Sequence, residues 1–324
     1  MRIMLLVPVF FMLTTGCTPS SEDAPPTGSL PSVADSPAPS TQGAVAPSAM
    51  RPSRLAFASE VPGRQGLDVY IAEVPGGQPR RLAGVVRRDD FSPSISADGR
   101  WDAYRLNPLR GDEGDIHVVA TRGGKSRNLT RSSGVADWSP SWSPTGEKIA
   151  YFSTQGGEFD VWVMDRDGSN KKRLTDDPAI DEYPSWRPDA KRIAFQSTRD
   201  GEFDIYVMES DGDNPVNITQ HPAREQWASW SPDGEWIAFM SDREGGEDVF
   251  VVRPDGSDVR NLTVTPDLQE SHPAWLPDGT LTFSRHGKSG PISLWAVSLD
   301  GLSETQIRTD SQPVFAFSWG PLPR

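Results

Sequence analysis

The sequence predicts an all-β fold: a six-bladed β-propeller of four-stranded antiparallel blades. Three observations predict it. First, an anchor tryptophan recurs at Trp142, Trp186, Trp230, Trp275 and Trp319, with Ile95 in the same slot upstream, at intervals of 47, 44, 44, 45 and 44 residues. Second, Asp68, Asp115, Asp160, Asp204 and Asp248, with Ser293 in the last copy, lie 14 residues ahead of an aliphatic in all six copies; the aliphatics are Leu82, Leu129, Leu174, Ile218, Leu262 and Ile307. Third, each copy holds four short runs of β-formers separated by Gly, Pro, Asp and Ser, and four strands per unit at this period form a propeller blade.

Residues 1–16 read as an export signal. Arg2 supplies a positive start, and Ile3 to Leu13 is an apolar stretch too short to span a bilayer. The segment Leu13-Thr14-Thr15-Gly16-Cys17 resembles a bacterial lipobox, with Leu13 one step further from the cysteine than that pattern prefers. Lipidation of Cys17 is therefore expected. It is the only cysteine, so no internal disulfide is expected and stability must come from burial.

Residues 17–50 read as a tether. From Thr18 to Met50, 25 of 33 residues are Pro, Ser, Ala, Thr or Gly, and none is basic. Such a segment cannot bury enough apolar surface to order itself. A flexible chain of this length spans on the order of 30 Å, enough to hold a head clear of a membrane.

Residues 51–324 read as one propeller. The runs alternate apolar and polar residues, as in Asp204-Ile205-Tyr206-Val207-Met208, which suits half-buried strands. In the turn Ser231-Pro232-Asp233-Gly234, Pro presets φ, Asp accepts from the following amides and Gly takes positive φ. The first copy lacks its opening run: Arg54 to Ser59 matches the second run of the others, and Val314 to Trp319 matches the missing one. The C-terminal strand is thus expected to complete the first blade and close the ring. The net charge of −13 argues against nucleic-acid partners.

The run Trp230-Ser231-Pro232-Asp233-Gly234 followed by Ile237-Ala238-Phe239, with Asp204-Ile205-Tyr206-Val207-Met208 and Asp255-Gly256-Ser257 elsewhere in the repeats, resembles the TolB-type propeller repeat from about residue 50 to the end. TolB itself is a periplasmic member of a cell-envelope complex, binds the peptidoglycan-associated lipoprotein, and carries an α/β domain ahead of its propeller. A tether stands in that place here. The resemblance therefore implies a TolB-like envelope lipoprotein rather than TolB. Thr18 after Cys17 favours the outer membrane over retention at the inner one. The implied role is non-catalytic: a monomeric platform for an envelope protein, a basic peptide segment or a cell-wall polymer.

The candidate site lies at the channel mouth. Five residues before the anchor slot stand Asp90, Asp137, Asp181, Glu225 and Glu270, with Val314 in the last blade. Five acids in equivalent positions are expected to form a rim that draws a cation such as calcium, or a basic segment; capping of turns by the same acids is the competing expectation. Trp138, Tyr183 and Trp227 are expected to contact a ligand there. No resident cofactor is expected. The alternative is an oligogalacturonate-type lyase, which uses a propeller of this repeat with His ligands for a divalent metal. Here only His272 stands near an anchor, three residues before Trp275, and a second aligned His is missing. A serine peptidase would need a Gly-x-Ser-x-Gly elbow, which the sequence lacks. The segment Asp165 to Asn170 hints at a calcium loop, but position 174 is Leu where the bidentate Glu belongs.

Overall fold

The computed structural model describes residues 51–60, 66–83, 90–107, 113–287, 292–308, 314 and 316–322. The expected signal, tether and Cys17 lie outside them.

Six four-stranded antiparallel sheets form the propeller. In five of them the strands follow chain order from the channel outward, as in Asp181–Trp186, Arg192–Ser197, Asp204–Glu209 and Val216–Asn217. The sixth is composite. Phe317–Gly320 pairs with Ser53–Glu60, placing Trp319 opposite Leu55 and Phe317 opposite Phe57. The C-terminal strand closes the ring as expected.

The core is a set of seams between blades. In one, Val161, Val163 and Leu174 of one blade pack against Trp186, Ile193, Phe195 and Met208 of the next. A single blade has two apolar faces and cannot bury either alone, so each blade's stability depends on its neighbours. Anchors Trp142, Trp186, Trp230 and Trp275 are buried. The Trp186 indole N–H donates to the Ser141 carbonyl at 3.1 Å, and that of Trp275 to Ser229 at 3.0 Å, each reaching the preceding blade.

The acid that opens the third strand ties down the loop after the fourth. Asp204 accepts from the His221 amide at 3.1 Å, the Asn217 side chain at 2.9 Å and the Thr219 hydroxyl at 3.1 Å. Asp115 does the same for Ser132, Asn128 and Thr130. In two blades an arginine takes this part: Arg81 on Asp68 at 2.6 Å, and Arg173 on Asp160 at 2.7 Å. A threonine after the closing aliphatic completes the device in four blades, as where Thr175 accepts from Val161 N at 3.0 Å. Asp165 to Asn170 is a turn, with Asp167 accepting from Ser169 N at 2.9 Å.

Candidate channel site

The innermost strand of each blade runs from the acidic slot to the anchor, then into the Ser-Pro-Asp-Gly type of turn. Its two ends therefore lie at opposite mouths of the channel. Midway, the ladder slips: register shifts fall between Phe91 and Ser94, Trp138 and Ser141, Glu182 and Ser185, Gln226 and Ser229, and Ser271 and Ala274. Three residues before each of these five anchors the backbone is left-handed, with φ of 48° at Ser92, 43° at Ser139, 52° at Tyr183, 59° at Trp227 and 52° at His272. No glycine relieves these positions, and a non-glycine residue held there stores strain. A bulge re-aims its side chain out of the strand's alternation, and these five residues line the channel.

The acidic rim requires correction. Asp137, Asp181, Glu225 and Glu270 are buried and engaged within the blades. Asp137 accepts from the Ser132 hydroxyl at 2.8 Å. Asp181 pairs with Arg199 at 2.7 Å, Glu225 with Arg243, and Glu270 with Arg285 at 2.7 Å. Glu225 also accepts from Ser241 Oγ at 3.0 Å, and Glu270 from Thr265 Oγ1 at 2.7 Å. Burial pushes the carboxyls of Asp137 and Asp181 upward, and that of Glu270 to about 7. A carboxylate taken out of water needs such partners, and once paired it is not a free charge for a ligand. The side chain of Asp90 lies outside the described residues.

The three aromatics come together, though not as an open rim. An unbroken series of ring contacts passes around one side of the channel: Phe91 to Trp138 at 6.4 Å between centroids, Trp138 to Phe152 at 6.3 Å, Phe152 to Tyr183 at 5.2 Å, Tyr183 to Trp227 at 6.3 Å, and Trp227 to His272 at 4.3 Å. Trp138 stands one slot earlier than Tyr183 and Trp227, and the Arg105 guanidinium covers its ring at 3.1 Å. Two neighbours were not foreseen from sequence. Gln196 donates from Nε2 to Glu182 at 3.0 Å and accepts at Oε1 from the Trp227 amide at 3.0 Å. Burial raises the Glu182 carboxyl to about 7. Nothing in the sequence marks Glu182, because its slot holds Phe91, Trp138, Gln226 and Ser271 in the other blades.

Below this layer, toward the turn end, lies a cavity of about 290 Å³. It is lined by residues from the bulge to the anchor, with Pro232 beyond, and by none of the five acids. Its wall is lopsided. The bulge slot holds Ser92, Ser139 and Ala316 on one side and Tyr183, Trp227 and His272 on the other. Burial pushes the His272 imidazole down to about 4, so it is neutral at pH 7. Its Nδ1 has no hydrogen-bond partner, nor have the indole N–H groups of Trp227 and Trp230. Among the described residues no group of three or more His, Cys, Asp or Glu is placed to hold a metal ion. His221 lies elsewhere, its Nδ1 accepting from the Ala223 amide at 3.1 Å. A larger groove of about 530 Å³ runs along the turn end between the second and third blades, past Asp98, Arg100, Trp101, Glu147 and Arg166.

A family model described as the TolB beta propeller domain matches residues 91–323. An uncharacterized protein of Agrobacterium fabrum is 32% identical over 120 residues, covering 35% of this chain and 40% of that protein. A protein TolB homolog of Chlorobium luteolum is 32% identical over 113 residues, covering 35% of this chain and 24% of that one. The chain thus matches less than half the length of these curated relatives. The crystal structure of TolB from Acinetobacter baumannii superposes with a TM-score of 0.72 at 24% identity, covering 83% of this chain and 67% of that one. At that identity the likeness speaks for the fold alone. The family match spans most of the chain and coincides with the observed ring of blades: the chain belongs to the TolB β-propeller family.

Proposed function

We propose that this chain is a non-catalytic binding propeller of the bacterial cell envelope, anchored by a lipid on Cys17, which holds an envelope protein or polymer through its central channel. The observation that carries this reading is the channel itself. Strained backbone and an aromatic wall converge there on one cavity. Such convergence marks a ligand site. The chemistry suits holding rather than turnover. Of the residues lining the cavity only Tyr183 and His272 titrate; burial raises the first to about 12 and lowers the second to about 4. Acid–base catalysis at neutral pH favours groups that titrate near it. Calcium, a candidate guest of the mouth, finds no carboxylate among the lining residues, although it prefers them.

The envelope address rests on the family and on the amino-terminal segment. The test uses the full chain in cells. A photo-reactive residue at position 185, on the channel, is compared with one at Leu302, which is exposed on the outside. The expected result is a discrete envelope adduct from 185 and none from 302, with release of the protein from membranes on Cys17→Ala. Equal adducts at both positions would refute the channel.

A further inference from the structure

The channel cavity has a chemistry unlike the rest of the molecule, and its interpretation rests on the binding reading above. The chain carries a net charge of −13, yet among the described residues no Asp, Glu, Lys or Arg lines this cavity. Hydroxyls line it instead. Ser94, Ser141, Ser185, Ser229 and Ser318 occupy the slot before the anchor, with Ser92 and Ser139 two residues earlier. Three of them accept from the next blade's backbone: Ser94 from Trp142 N at 3.2 Å, Ser185 from Trp230 N at 3.4 Å, and Ser318 from Ile95 N at 3.1 Å. Each contact uses a lone pair and leaves the hydroxyl proton free to donate. Among these hydroxyls stand the ring surfaces of Tyr183 and Trp227 and prolines from five blades.

We propose that this cavity is a binding subsite for a neutral carbohydrate, seating an uncharged sugar unit of a glycan at the turn end of the channel. A sugar ring is apolar on its faces and hydroxylated on its rim. The aromatic rings and prolines take the faces, and the serine hydroxyls take the rim. An ionised sugar is disfavoured, because it would shed hydration with no counter-charge in reach. The volume of about 290 Å³ sits at the lower edge of small-molecule sites, roughly 300–1,000 Å³, as suits a small ligand.

The experiment is saturation-transfer NMR on the full chain in a sugar-free detergent, with maltose, diacetylchitobiose and digalacturonate as probes. At least one neutral disaccharide is expected to bind saturably, and digalacturonate about tenfold more weakly or worse. Trp227→Ala, or Ser141→Leu should the first fail to fold, is expected to weaken the neutral sugar by about tenfold. The inference is overturned if neither neutral sugar saturates, if digalacturonate binds as well, or if a folded variant binds unchanged. Should sugars fail while the crosslink from position 185 captures a protein, the carbohydrate inference falls and the binding platform stands. Should both fail, the channel is not the site.

Discussion

Ser318 Oγ accepts a hydrogen bond from the backbone nitrogen of Ile95 at 3.1 Å, across 223 residues of chain. The same bond joins Ser94 to Trp142 and Ser185 to Trp230. The closing seam thus copies the seams inside the ring.

Removing residues 313–324 takes away the strand over Leu55 and Phe57, both fully buried. Loss of cooperative thermal unfolding is expected; a melting temperature equal to that of the intact chain would refute closure by this strand. Ser318→Ala alone removes one hydrogen bond, a loss of about 1 kcal/mol, measurable by urea denaturation.

Asp102 is fully buried, and neither carboxylate oxygen has a hydrogen-bond partner. It occupies the slot that Ile149, Ile193, Ile237 and Leu281 fill in other blades. Burial pushes its carboxyl well above the usual range. The folded state therefore keeps this proton after the unfolded chain releases it near pH 3.9. The cost grows as pH rises from there toward the folded value. Asp102→Leu is expected to stabilise the protein by about 1–3 kcal/mol at pH 7, with a gain that shrinks near pH 4. Denaturant midpoints of both proteins across pH 4–8 check this; a pH-independent difference would count against it.

His272 runs the other way. Its folded value of about 4 lies below the ordinary 6.5, so the unfolded chain takes up the proton first. Its contribution is full above pH 6.5 and is lost as pH falls toward 4. The imidazole resonances of His272 in an NMR titration are expected to stay at their neutral positions down to pH 5. Movement with a midpoint near 6.5 would mean that the ring is solvated.

Glu225 is closed in with Arg243 and Ser241. Glu225→Lys sets two cations together in a buried site, a loss of roughly 3–5 kcal/mol. Glu225→Gln keeps a hydrogen-bond acceptor and is expected to lose less. Chemical denaturation ranks the two. An undisturbed lysine variant would restore the open acidic rim.

The blade count, the strand order and the closing strand were legible in the sequence, because they follow from spacing and turn chemistry that repeat. The fate of the acids was not. Asp137, Asp181, Glu225 and Glu270 are equivalent in sequence, and whether the last three face water or an arginine depends on Arg199 and Arg243, just past the end of the next strand, and on Arg285 within it. The aromatics were legible as a group. Their stacking on Phe152 was not, since that residue comes from the second strand of its blade.

By itself the sequence determined the fold class, because a blade that cannot bury both faces must stack, and the period sets how many blades do. Only the tertiary structure decided where the channel is accessible. The bulge before five of the anchors turns one residue of each of those blades toward a shared axis. The size of the residues in the bulge slot, large at Tyr183, Trp227 and His272 and small at Ser92, Ser139 and Ala316, shapes the cavity only once six distant segments meet.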